Sequence, residues 1–280
     1  MEEMTPVPVD GSSCCFLVDS HCHVYGQEYG IDVSAVLARA RDAGVRRMLV
    51  AGADLPTSRM AVEMSRTWKH FGVFASVGIH PHEARTAAGG GAGDPGTWEE
   101  LKALACLPGV AAIGETGLDY HYDLSPREQQ KESFRSHIRW AAEAKKPLVI
   151  HARESYPDLV RILREEGGDR IPGIIHCFSG TGEDAGVLLG MGFHLSFAGP
   201  LTFVKNSRLR DLFAEVPPDR FLLETDSPYL APHPFRGRRN EPALVRLVYE
   251  AAARARNTSF EDVSRLVQEN AHRLFSWGRG

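Results

Sequence analysis

The residues of this chain best suited to chemistry are histidines and carboxylates, and they come in short clusters. His21-Cys22-His23 is the first, followed by His80-Pro81-His82 and by Glu115 within Gly114-Glu115-Thr116-Gly117. His151 then follows Leu148-Val149-Ile150, His176 follows Ile174-Ile175, and Asp226 stands in Leu223-Glu224-Thr225-Asp226-Ser227-Pro228. Imidazole with carboxylate suits Zn²⁺, Mn²⁺ or a similar ion, whereas an all-oxygen set would point to Mg²⁺ or Ca²⁺. His21, His23, His151 and His176 with Glu115 and Asp226 make six donors, more than one catalytic metal with an open water position uses. Two divalent ions sharing a carboxylate account for them better; Zn, Mn and Mg all stay open as the identity. Each fragment alone also has a plainer reading. An H-x-H pair arises by chance, a histidine ending an apolar strand is usually a hydrogen-bonded core residue, and Glu115 could be a helix cap or loop acid. Their recurrence at one kind of position favours chemistry.

That position is set by the elements. Short apolar runs over Cys15–Asp19, Arg47–Ala51, Val73–Gly78, Val110–Gly114, Pro147–His151, Gly173–His176, Phe193–Phe197 and Phe221–Glu224 read as eight strands. Most lack clean alternation, as expected where both faces of a parallel sheet are buried. Val33, Val36, Leu37 and Ala40 follow helical spacing between Asp32 and Ala43. Ser125-Pro126-Arg127-Glu128 has the form of a capping box opening a helix to about Ala144, and Thr258 to Asp262 starts another. Strands recur about every thirty residues, the size of a βα unit. The expected fold is α/β, a single-domain (β/α)8 TIM barrel, with an open doubly wound sheet as the competing architecture. In a barrel every cluster named above falls at the C-terminal end of a strand, on the face where barrel sites are built. His21 and His23, two residues apart, then point the same way, and Cys22 turns away into packing.

The bulk properties narrow the class. The 280 residues carry a formal net charge of −4, which gives no global pull toward nucleic acid, although bound cations can meet phosphates locally. The five cysteines form no C-x-x-C pair and read as free thiols of a cytoplasmic protein. No run approaches the ~20 apolar residues of a membrane span. Residues 1–13 read as a flexible tail and 14–280 as the barrel; Gly89–Gly96 reads as a flexible loop before a helix at Trp98. No obligate partner is evident, and a monomer is expected.

At these residues the sequence resembles the TatD family of metal-dependent deoxyribonucleases within the amidohydrolase superfamily. The matching segments are Asp19–His23, Gly78–His82, Ile113–Asp119, His151–Glu154, Ile175–Gly180, Leu223–Tyr229 and Arg239–Pro242, in the family's order. The resemblance implies a distorted (β/α)8 barrel with a dinuclear centre. His21, His23 and Asp226 would hold one metal, His151 and His176 the other, with Glu115 bridging. His80 would sit near the substrate phosphate and Arg153 would contact it. A metal role for His121 is not expected. In the loop Ala231–Gly237, where relatives often have histidine at the place of Phe235, this chain has His233 instead, and no substrate contact is assigned there.

The implied activity is hydrolysis of DNA phosphodiester bonds, expected as 3′-5′ trimming of short or single-stranded ends. Two metals would clamp a bridging hydroxide, lowering the water's pKa toward ~7. Asp226, Glu115 and His80 form the catalytic set: Asp226 would take the proton and return it to the leaving oxygen, while His80 and Arg153 hold phosphate oxygens as charge develops. Hydrolysis of an amide, lactone or ester is the alternative. Many such relatives bridge their metals with a carboxylated lysine, but Lys145 and Lys146 precede the fifth strand and Lys69 lies in a helix. A third reading is an inactive nucleic-acid-binding protein. Arg236, Arg238 and Arg239 would either guide phosphates or pair with local acids such as Glu241.

Overall fold

The computed structural model describes residues 15–25, 32–86 and 95–277. In chain order the elements are β1 (Leu17–Cys22), α1 (Val33–Asp42), β2 (Val45–Ala51), α2 (Leu55–Thr67), β3 (Val73–Val77), α3 (Pro95–Ala105), β4 (Val110–Asp119) and α4 (Arg127–Ala144). They continue with β5 (Leu148–Arg153), α5 (Tyr156–Glu165), β6 (Gly173–Ile175), α6 (Gly182–Gly190), β7 (His194–Phe197), α7 (Ser207–Glu215), β8 (Phe221–Leu223), α8 (Val245–Arg256) and α9 (Phe260–Phe275). The eight strands pair in sequence order, and every pairing is parallel. This is the single-domain (β/α)8 barrel, not the open sheet.

Closure between β8 and β1 is irregular. A single parallel bridge links Cys22 to Ser227. Around it His23 N–H donates to Ser227 O at 2.7 Å and Asp226 N–H to His21 O at 2.9 Å. Deeper in, buried Asp19 accepts from Thr225 N–H at 2.9 Å and from its hydroxyl at 2.6 Å. The Tyr249 hydroxyl of α8 clasps the Val18 carbonyl and amide, both at 3.0 Å. These bonds satisfy strand-edge groups that would otherwise be buried unpaired, at ~1–3 kcal/mol each.

Strand faces are buried on both sides, as the unbroken apolar runs implied, and α1 buries Val36, Leu37 and Ala40. Phe213 bridges β7 and β8, edge-on to Phe197 and Phe221 at centroid distances of 4.9 and 5.1 Å. Among the described residues no helix is long and apolar enough to cross a membrane.

Three local expectations change. First, β1 begins at Leu17 rather than Cys15, and β4 runs on to Asp119, so Glu115 lies inside a strand rather than after it. The register of β4 against β5 shifts between Ile113 and Thr116. Gly114 and Gly117, at φ 138° and 134°, permit this; a Cβ would come within 2.4 Å of Val149 O at the first and 2.0 Å of His151 O at the second. Second, no side-chain cap bond forms at the start of α4, and Pro126 is its N-cap residue. The Ser125 hydroxyl instead donates to His82 O at 2.7 Å and accepts from Arg85 N–H at 3.2 Å. Third, α3 starts at Pro95, ahead of Trp98. Most of the glycine-rich run, and the tail 1–13, lie outside the described residues.

Candidate metal centre

At the C-terminal ends of the strands a cavity of about 890 Å³ opens over Glu115, His23, His80, His151, His176 and Asp226. His21 is fully buried beside it. The six expected donors and His80 therefore converge. Glu115 lies at the middle. Its Oε2 is 3.3 Å from His21 Nε2 and 3.6 Å from His23 Nε2. Its Oε1 is 2.8 Å from His176 Nε2, 3.2 Å from His151 Nδ1 and 3.3 Å from His80 Nε2. Asp226 Oδ1 stands 3.7 Å from His21 Nε2 and 3.5 Å from His23 Nε2.

The outer nitrogens decide what the inner ones can offer. His23 Nδ1 is 3.0 Å from Ala51 O, an acceptor only, so it carries the proton and Nε2 presents a lone pair. His151 Nε2 is 3.1 Å from Asp119 Oδ2, and a proton held there leaves Nδ1 free to offer a lone pair. The inner nitrogens nevertheless face one another, His21 Nε2 to His23 Nε2 at 3.0 Å and His151 Nδ1 to His176 Nε2 at 3.1 Å. Glu115 and Asp226 add further acceptors. His21, His23 and Asp226 lie close enough to share a metal ion, and Glu115 reaches both imidazole pairs, a donor set whose chemistry fits divalent-cation binding.

His80 is different. Its Nδ1 accepts from His82 N–H at 3.1 Å, which leaves the proton on Nε2, facing Glu115. His80, Glu115 and His151 do come close enough to share an ion, but His80 in this tautomer is a hydrogen-bond donor. Burial pushes its pKa down to about 4, so it donates as a neutral ring. Burial works against ionisation of Glu115, yet His176, His80 and His21 outweigh it and hold the carboxyl well below its usual range. Asp226 is likewise lowered: burial raises it, but His23, His176 and His21 prevail.

Sequence reasoning assigned no role to the carboxylates behind the imidazoles. Asp119 Oδ2 is shared by His151 Nε2 and His82 Nε2 at 3.1 and 3.0 Å. Buried Glu224 lies 3.4 Å from His176 Nδ1 and accepts from Cys177 N–H at 2.7 Å. Both stand in the quoted motif segments, and an acid ending an apolar strand was the available signal.

Other expectations sort by position. Cys22 packs in the core, its thiol directed at Leu49 O. Arg153 reaches the rim of the cavity, where its guanidinium lies over the Tyr122 ring at 4.7 Å, and it also lines a neighbouring cavity of about 530 Å³. His121 pairs with Glu154 at 2.7 Å outside the cluster. His233 is exposed, with its amide bonded to Thr202. Glu241 is taken by Arg39 at 2.7 Å, while Arg239 reaches Asp32 at 3.2 Å and Arg236 lies over Phe203.

Comparison with known proteins agrees with this geometry. Residues 18–276 match the sequence model of the family described as TatD related DNase. The uncharacterized metal-dependent hydrolase YabD of Bacillus subtilis (strain 168) is 42% identical over 262 residues, 92% of this chain and 98% of that protein. The 3′-5′ ssDNA/RNA exonuclease TatD of Edwardsiella piscicida is 32% identical over 265 residues, 92% of this chain and 99% of that protein. The crystal structure of YjjV, a TatD homolog from Escherichia coli K12, aligns with a TM-score of 0.85 at 24% identity, covering 94% of this chain and 98% of that one; this is a likeness of fold.

Proposed function

This chain belongs to the family of TatD-related DNases, metal-dependent hydrolases, and from that premise we propose that it is a two-metal deoxyribonuclease that trims DNA strands from the 3′ end. The observation that carries the reading is the pair of imidazole couples gathered on the two oxygens of Glu115, with Asp226 beside the first couple. His21, His23 and Asp226 would hold one divalent cation, His151 and His176 the other, and Glu115 would bridge. Bound there, the cations would supply Lewis acidity, acidifying a water toward a pKa of ~7 and offsetting phosphate charge. Asp226, ionised and partly open to the cavity, would take the proton of the attacking water and return it to the leaving oxygen. His80 would donate its Nε2 proton to a non-bridging phosphate oxygen without needing to ionise. Arg153 would supply a full positive charge from the rim, strengthening its contact as charge builds on phosphorus. The 3′-5′ direction and the single-stranded preference rest on the name of the Edwardsiella relative.

The test is direct. Protein purified without chelators is analysed for bound metals, then incubated with 5′-labelled single- and double-stranded DNA and Zn²⁺, Mn²⁺ or Mg²⁺. About two equivalents of metal and a cation-dependent ladder of 3′-shortened strands are expected. No shortening with any cation, or turnover of ester, lactone or amide substrates while DNA stays intact, overturns the proposal.

A further inference from the structure

Two large aromatic side chains stand exposed at the mouth of the metal centre. Tyr122 keeps 54% of its surface accessible and Tyr229 keeps 56%, and both line the cavity that holds the histidines. Exposure of single apolar residues is ordinary, but these two sit on anchored backbone. Asp119 Oδ1 accepts from both His121 N–H and Tyr122 N–H at 2.9 Å. The same carboxylate orients His151 and His82 through its other oxygen. Tyr229 N–H donates to Asp226 O at 2.9 Å, and its carbonyl accepts from the amide of buried Asn240 at 2.7 Å. Each ring is thus carried by the segment that carries a group of the centre itself.

Their placement is opposed. Tyr122 follows β4 and lies edge-on to His82, 5.6 Å between centroids, with Arg153 of β5 over its ring. Tyr229 follows β8 and lies 6.1 Å from His23 at the end of β1. In an eight-stranded barrel with strands in sequence order, the β4–β5 and β8–β1 sectors face each other across the mouth. A phosphate held over Glu115 would therefore have an aromatic surface on either side of it. Nucleobases offer π-faces whatever their identity, and their stacking on aromatic side chains is how sequence-tolerant proteins grip unpaired strands.

Resting on the nuclease reading above, we propose that Tyr122 and Tyr229 are stacking platforms for the bases flanking the scissile phosphate, so that the site selects strands whose terminal bases are unpaired and reads no sequence. Arg153 over Tyr122 joins the charge that meets the phosphate to the surface that meets the base.

The experiment compares kcat/KM on a single-stranded oligonucleotide with that on a matched strand whose last two nucleotides are abasic, using metal-loaded enzyme. The wild type should prefer the strand with bases. Tyr122→Ala and Tyr229→Ala should each shrink that preference, by about 5- to 150-fold for stacking of ~1–3 kcal/mol per base. Tyr122→Phe and Tyr229→Phe should restore it, because a phenyl ring keeps the stacking face. An alanine variant that loses equal activity on both strands would show a merely structural role. Phenylalanine variants as impaired as alanine would show that the hydroxyl acts instead. Wild-type enzyme that cuts both strands equally refutes the stacking role alone, whereas enzyme that cuts no strand refutes the nuclease reading and this inference with it.

Discussion

His137 offers a sharp test of how the scaffold holds the site. It lies on α4, fully buried, with Nδ1 2.7 Å from Ser133 O, so that Nδ1 carries the proton. Its Nε2 accepts from Ile79 N–H at 3.0 Å, the amide immediately before His80. Protonation would turn that acceptor into a donor aimed at another donor. Burial pushes its pKa from 6.5 down to about 4. Between those values the unfolded chain binds a proton that the folded chain refuses, so the contribution is complete above pH 6.5 and is lost as the pH falls toward 4. At 1.36 kcal/mol per pKa unit it amounts to about 3 kcal/mol over the whole window and about 2 kcal/mol by pH 5. His137→Leu removes the acceptor and strands the Ile79 amide, which should cost about 1–3 kcal/mol at pH 7.5. Because the variant no longer titrates here, its deficit relative to the wild type should shrink by about 2 kcal/mol at pH 5. Urea unfolding of both proteins at pH 7.5, 6 and 5, with metal saturating, measures this. The difference cancels groups common to both proteins, among them His194, also lowered to about 4 by burial. A deficit that stays constant or grows on acidification would refute the argument.

Three further outcomes are expected. Glu115→Gln keeps the shape but loses the charge facing both imidazole pairs, so metal content and turnover should fall together, by more than the ~10–100-fold that an outer partner is worth, with the fold intact by circular dichroism; full turnover would rule out bridging. Replacing His21 and His23 together by alanine should remove one equivalent of metal by elemental analysis and spare the other, because the remaining pair comes from β5 and the residue after β6; retention of both equivalents would contradict the assignment. Asp119→Asn should lower metal affinity or activity about 10–100-fold by releasing His151 from its preferred tautomer, and competition with a chelator would expose an affinity that had not changed.

The sequence alone determined the architecture and which histidines and carboxylates meet at one end of it. Unbroken apolar runs at βα spacing specify parallel strands buried on both faces, and parallel strands put all their C-termini at one end, so His21, His23, Glu115, His151, His176 and Asp226 had to converge. Only the tertiary structure decided how they are held. The partners of a buried group come from strands distant in sequence, and no local pattern encodes them: Glu224 after β8 reaches the residues after β6, and Asp119 of β4 serves both His151 and His82. His80 resembles its neighbours in sequence, and it is the backbone amide of His82 that sets its tautomer as a donor. Local signatures failed where a tertiary partner competed for the same atom. Ser125 has the form of a helix cap, but its hydroxyl is engaged by His82 O and Arg85 N–H, because a buried backbone group left unpaired costs more than a solvent-exposed helix end left uncapped.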